Sequence, residues 1–306
     1  MSAAVCSPIV ASSEVLEAGP AIQAVAESAT AAGPVMGAGD GVVAVFLLAI
    51  VQGLAEFLPV SSSGHLVLAR IALGLEEAGI ALDVALHVGT LLATLWGYRE
   101  QVLELIRDVL AGRLRFFLWL VLATVPVGIV GAGFSGLLER AFRSQRVAGA
   151  GLLFTAVMLL IGERARRRLE AGAPTSEDEG AGRQPTFRDA LAIGCAQVLA
   201  LCPGVSRSGT TISAGMLRGF RGKDAARLSF MMSIPAILGA AVKELPDAME
   251  TGFAGLGAGV VAAAVLLAAL VGWLALKGLL VTLARGAFRW FAAYCAIVGA
   301  IVLLIA

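Results

Sequence analysis

The chain has 306 residues, 58% of them hydrophobic and only 15% charged, with a mean hydropathy of +0.89. A soluble domain carries about a quarter charged residues, so a soluble globular protein is excluded and a polytopic membrane protein is expected. The net charge of +1 is uninformative, but two histidines, and four cysteines without metal-ligand or disulfide spacing, exclude a site of three or more histidines within one chain.

Residues 1–41 read as an N-terminal extension, rich in Ala, Gly, Ser and Val, lacking the basic n-region of a signal peptide and expected to be poorly ordered. Residues 42–56 are apolar but short for a span, since crossing takes about 20 residues. The run breaks at Pro59 and a Ser-Gly cluster, and a second apolar stretch follows at 65–75. Short helix, polar turn, short helix predicts a re-entrant hairpin, which survives at membrane depth only when buried in protein or lining an aqueous cavity. Full spans are expected at 80–97, 115–133 and 146–162, then a basic loop over 163–186. A second interrupted unit covers 187–219, broken at Pro203-Gly204 and at 206–209, before spans at 225–243, 256–277 and 287–305.

The halves echo each other. Gln52, Val60, Ser61, Ser63 and Gly64 recur 145 positions later as Gln197, Val205, Ser206, Ser208 and Gly209. Each half is one broken hairpin plus three spans, and an odd number of spans makes the second half enter from the opposite side. The expected fold is therefore an all-α polytopic membrane protein with six transmembrane helices and two re-entrant helical hairpins in an inverted-topology repeat. Its single membrane domain, 42–306, divides into a first repeat at 42–162, the loop at 163–186 and a second repeat at 187–306. No Lys or Arg precedes Arg70, and most basic residues fall in 98–114, 163–188, 218–227 and 277–286. The positive-inside rule makes that side cytoplasmic and places both termini outside.

The chemistry sits at the two breaks. Gln52 and Glu56 are four apart on one helical face, and an amide oxygen beside a carboxylate could ligate a hard divalent cation; a plain cap or an Arg–Glu56 pair is the simpler reading. Ser61, Ser62 and Ser63 precede a helix near His65, so their hydroxyls and backbone N–H groups could bind an anion or merely cap the helix. A serine there could be a nucleophile if a base lies within reach, and His65 is the nearest proton carrier. The second break adds Arg207, flanked by Ser206, Ser208 and Thr210; arginine suits bidentate phosphate recognition, against the simpler reading of a salt bridge to Glu56. Asp83 and His87 share a helical face and read as making an intrahelical or interhelical hydrogen bond, or as a relay behind the site. Arg218 and Arg221 read as interfacial anchors, as do Trp96 and Tyr98. Together the set suits phosphate chemistry on a substrate with a lipid tail.

At Gln52-x-x-x-Glu56, Phe57-Leu58-Pro59-Val60-Ser61-Ser62-Ser63-Gly64-His65 and Pro203-Gly204-Val205-Ser206-Arg207-Ser208-Gly209 the sequence resembles the bacterial undecaprenyl-diphosphate phosphatase family, linked to bacitracin resistance. The resemblance covers about 42–306. It implies an inner-membrane hydrolase converting undecaprenyl diphosphate to undecaprenyl phosphate and inorganic phosphate, with an outward-opening site and a divalent cation, Mg2+ or Ca2+, as cofactor. It implies Ser62, His65, Glu56 and Arg207 as catalytic residues. Ser61, Ser63, Ser206, Arg207, Ser208 and Thr210 would hold phosphate, and Glu56 and Gln52 the metal. The position of Gln52 is often Glu in the family, so one ligand charge is missing. Expected partners are the prenyl diphosphate lipid and membrane lipids, with no nucleic acid; a homodimer is compatible. A lipid transporter or flippase using the same anion site is the alternative, since inverted repeats with broken helices also mark transporters.

Overall fold

The computed structural model describes residues 38–73, 79–171, 183–251, 253, 256–284, 286 and 288–306. The expectation for 1–37 and for the centre of the 163–186 loop lies outside these residues. Among them the chain is all helical, with twelve helices and no strand: α1 (Ala38–Phe57), α2 (Ser62–Ala72), α3 (Gly79–Gly97), α4 (Arg99–Leu110), α5 (Arg115–Gly133), α6 (Ser135–Ala141), α7 (Gln145–Ala171), α8 (Phe187–Leu199), α9 (Arg207–Leu217), α10 (Gly222–Thr251), α11 (Ala258–Ala284) and α12 (Phe288–Ile305). Five helices are long and apolar enough to cross a membrane: α5, α7, 222–243 of α10, most of α11, and α12. A sixth arises if α3 and α4, bent by 80° about Tyr98, count as one broken span.

Several boundaries differ from those expected. Residues 38–41 belong to α1, not to the extension. The connections at 98–114 and 134–145 contain α4 and α6. Helix α7 runs nine residues past 162, to Ala171, so the loop begins later. Its polar end is held by pairs at helical spacing: Arg166 donates to Glu163 at 2.9 and 3.0 Å and also pairs with Glu170, and Arg167 donates to Glu163 at 2.9 Å. Helix α8 starts with a reciprocal capping box between Thr186 and Asp189. Arg218 is not simply an interfacial anchor: its Nε donates to the buried Asp189 carboxylate at 2.8 Å, beside Arg183 at 2.9 Å.

The two breaks use one device. Pro59 follows the end of α1, and Pro203 the end of α8; proline disfavours helical geometry in the residue before it and lacks an N–H. Beyond each break a serine caps the next helix, Ser61 Oγ accepting from Gly64 N at 3.2 Å and Ser206 Oγ from Gly209 N at 3.1 Å. Ser61 does so at φ 72°, the one positive φ outside glycine among the described residues.

The breaks touch one another. A Cβ on Gly64 would lie 2.8 Å from Gly204 Cα, and one on Gly204, which has φ +88°, would lie 2.0 Å from the Ala148 carbonyl oxygen of α7. Thr155 of α7 completes the cradle, donating to Gly204 O at 2.8 Å and accepting from Ser206 N at 2.8 Å. Gly204→Ala is therefore expected to destabilise the fold by about 1–3 kcal/mol through left-handed backbone strain and by a similar amount through overpacking. Thermal unfolding in detergent reads this as a lowered Tm; an unchanged Tm would contradict the close approach.

The exterior is apolar. Leu266, Leu270 and Leu274 repeat every four residues along α11 and are 55–65% exposed. The interior, by contrast, holds Gln52, Glu56, Thr90, Thr94, Thr155, Thr211 and Ser229. An apolar exterior with polar side chains gathered inside is stable only where the solvent is lipid, so the molecule is an integral membrane protein.

Candidate active site

Glu56, on the last turn of α1, is the hub. Its Oε1 accepts from Arg207 Nη2 at 2.6 Å. Its Oε2 accepts from Ser62 Oγ at 2.7 Å and from Gln52 Nε2 at 3.2 Å. A carboxylate, a hydroxyl and a guanidinium from segments about 150 residues apart thus meet in one cluster, because the two breaks abut. Arg207 is the first residue of α9; it also donates to Ser229 O at 3.3 Å and lies 5.5 Å from the Phe230 ring centroid. Glu56 is 7% exposed, while Ser62 and Arg207 are only partly buried.

The other expected residues divide. Ser61 and Ser206 are occupied as helix caps, the plainer reading for the Ser61–Ser63 turn and a role the sequence reading did not offer for Ser206. Ser63 Oγ lies 3.2 Å from Ser61 Oγ, and Ser208 Oγ lies 3.3 Å from Ser206 Oγ and 3.4 Å from Leu58 O. Thr210 is fully buried, and its hydroxyl has no hydrogen-bond partner among the described residues. His65 turns away from the cluster: Nδ1 contacts Ser61 O at 2.8 Å and Nε2 contacts Tyr294 Oη at 2.7 Å, with the two rings stacked.

The imidazole that does face the cluster is His87. Its Nε2 lies 3.5 Å from Glu56 Oε2, and its Nδ1 is 2.7 Å from the backbone oxygen of Asp83, so Nδ1 donates. The Asp83 carboxylate is engaged by Arg70 at 3.0 Å, tying α3 to α2. The spacing left open a bond within the helix, a bond across to another helix and a relay behind the site; which group His87 reaches depends on how α3 packs beside α1. The signal available was a polar pair inside an apolar span.

The donor set suits a hard cation. Gln52 Oε1 is buried with no hydrogen-bond partner among the described residues, next to the Glu56 carboxylate, and Ser62 and Thr90 add hydroxyl oxygens nearby. No group of three or more His, Cys, Asp or Glu gathers among the described residues. Glu56 and Gln52, with the Ser62 and Thr90 hydroxyls, would supply oxygens to a hard divalent ion, which would neutralise anionic charge there.

Fold and site together define an integral-membrane helical protein with a carboxylate, a hydroxyl, a guanidinium and an imidazole gathered at a polar centre. The chain belongs to the bacitracin resistance protein BacA family, whose model matches residues 45–301. It is 43% identical over 267 residues to the undecaprenyl-diphosphatase of Gemmatimonas aurantiaca, covering 84% of this chain and 94% of that one. Over 279 residues it is 38% identical to the undecaprenyl-diphosphatase of Desulfatibacillum aliphaticivorans (85% and 97% covered), and over 264 residues 39% identical to that of Carboxydothermus hydrogenoformans (85% and 95%). The resemblance read from the motifs at the two breaks thus extends over most of the chain.

Proposed function

We propose that the chain is an integral-membrane phosphatase that hydrolyses undecaprenyl diphosphate to undecaprenyl phosphate and inorganic phosphate, recycling the carrier lipid for cell-wall synthesis. The observation that carries this reading is the 2.7 Å bond from Ser62 Oγ to Glu56, with Arg207 on the other carboxylate oxygen. It is joined by relatives that bear the name undecaprenyl-diphosphatase.

In this scheme Arg207 swings its guanidinium from Glu56 to the phosphate oxygens, and backbone N–H groups at the head of α2 and α9 assist. The freed carboxylate takes the Ser62 proton as Oγ attacks the terminal phosphorus. The bond from that phosphorus to the bridging oxygen breaks, and undecaprenyl phosphate leaves with the electron pair. Water then attacks the phosphoserine; Glu56 returns its proton to Ser62 Oγ, and the water proton leaves with inorganic phosphate. A divalent cation held by Glu56 and Gln52 would neutralise charge on the phosphoryl oxygens. His87, beside Glu56 Oε2, stands closer to this proton path than His65 does.

The finer architecture belongs to the same reading. Two re-entrant hairpins, α1–α2 and α8–α9, related by an inverted repeat, account for the matched caps. They also account for the paired packing of α1 on α11 and of α8 on α5, and for the central pairs α3–α10 and α7–α12. The distribution of Lys and Arg supports termini and a site opening on the extracytoplasmic side of the plasma membrane.

A carrier for prenyl phosphate lipids would need the anion clamp but no nucleophile, so the Ser62–Glu56 bond favours the enzyme. Purified protein in detergent is expected to release phosphate from a prenyl diphosphate and to lose most of that activity in EDTA. No release, with lipid binding that still depends on Arg207, would overturn the enzyme reading in favour of the carrier.

A further inference from the structure

We propose that a second site, a pocket at the bend between α3 and α4, binds the phosphate headgroup of an anionic phospholipid. The pocket has a volume of about 460 Å3 and is lined by Trp96, Arg99, Trp273, Leu276, Lys277 and Leu280. Gly97 forms part of its wall; a Cβ there would meet Leu276 Cδ2 at 2.5 Å, so α3 ends tight against α11.

Among the described residues the lining holds two cations and no carboxylate. The Lys277 ammonium lies 3.6 Å from the Trp273 ring centroid and the Arg99 guanidinium 5.6 Å from that of Trp96. Arg99 also donates to Trp96 O at 3.3 Å and comes within 3.9 Å of Glu100, whose side chain is exposed and outside the lining. Both cations stay exposed, resting on aromatic faces that orient them without neutralising them. An anion is the complementary ligand.

The level of the pocket selects a lipid. The chain turns by 80° immediately beside it, and α4 then exposes Leu103, Ile106 and Leu110 along one side. That is the pattern of a helix lying along the membrane surface. Trp96 is exposed at the end of α3, as an interfacial tryptophan would be. From Lys277 toward the middle of α11, Leu274, Leu270 and Leu266 follow on the same helical face, all exposed. A headgroup phosphate between Arg99 and Lys277 therefore has an apolar track for its acyl chains directly alongside. Basic pockets between membrane helices hold lipid headgroups by this combination.

The test uses the full chain in neutral detergent, titrated with phosphatidylglycerol, phosphatidylcholine or inorganic phosphate, with bound lipid counted by native mass spectrometry. Phosphatidylglycerol is expected to bind in preference to phosphatidylcholine. Arg99→Gln and Lys277→Gln should each weaken it about fivefold and together about 25-fold, taking each surface cation at its usual contribution. Lys277→Arg should restore binding, and Arg221→Gln, a basic residue outside the pocket, should leave it intact. Arg207→Ala should also leave it intact, which separates this site from the catalytic cluster. Phosphatase activity in detergent should be unchanged in the Arg99 and Lys277 variants, which also reports that they fold. Equal binding of the two lipids, or a double variant that binds like the wild type, would overturn the proposal. Displacement of the lipid by millimolar inorganic phosphate would overturn it too, assigning the site to a free ion.

Discussion

Arg207→Ala is expected to lower kcat/KM for prenyl diphosphate hydrolysis by about a thousandfold or more. Loss of one preorganised donor to a developing anion costs roughly 10^2–10^3 in rate, and Arg207 offers a fork. The substitution also strips the guanidinium from a Glu56 carboxylate that is 7% exposed. Breaking one side of a buried ion pair costs roughly 3–5 kcal/mol, so the variant should also unfold at lower temperature. Arg207→Lys keeps the charge but loses the planar fork and its stacking near Phe230; its activity should fall between alanine and wild type. Combining Arg207→Ala with Glu56→Gln separates the two effects, because the contact at 2.6 Å makes the pair non-additive. If both single variants keep near-wild-type kcat/KM, the composite cluster is not the site of chemistry.

Ser62→Ala is expected to reduce kcat by about four orders of magnitude or more, the scale seen when a nucleophile is removed from a working unit. Its neighbours provide the contrast. Ser61 caps α2, and Ser63 leans on Ser61; loss of a cap costs about 1 kcal/mol of stability and leaves the Ser62–Glu56 bond in place. Ser61→Ala and Ser63→Ala should therefore keep most of the activity while Ser62→Ala loses it. Rapid quench of the wild type should trap phosphoserine at Ser62. Full activity in Ser62→Ala, or no phosphoserine on the millisecond scale, would move the chemistry to direct attack by a water activated at Glu56.

Much of the site can be read along the chain because each half of it is local. Gln52 and Glu56 share a helical face by spacing alone, and the Ser-Gly turn after Pro59 marks a helix start that one of its three serines, Ser61, caps; the matching cap by Ser206 after Pro203 emerges only in the structure. Membrane embedding follows from composition, since no soluble core could conceal so many apolar residues. Helix ends were less legible. Charged residues at the end of α7 read as loop, yet Glu163, Arg166, Arg167 and Glu170 pair along the helix and extend it. Helix α4, short and amphipathic, carries too many charges to look like part of a span.

Which groups face each other was decided only in three dimensions. Sequence order places His65 three residues from Ser62, but the helical turn directs it to Tyr294, while His87, from another helix, lies beside Glu56. Spacing within a helix sets direction, not distance across a bundle. The meeting of Arg207 with Glu56 depends on Gly64 and Gly204 letting two backbones approach where any side chain would intervene. By itself, then, the sequence determined the membrane class, the two polar breaks and the chemical types of their residues, because those follow from composition and local periodicity. The tertiary structure decided which carboxylate, hydroxyl, guanidinium and imidazole share a site, because that depends on long-range packing that no local pattern encodes.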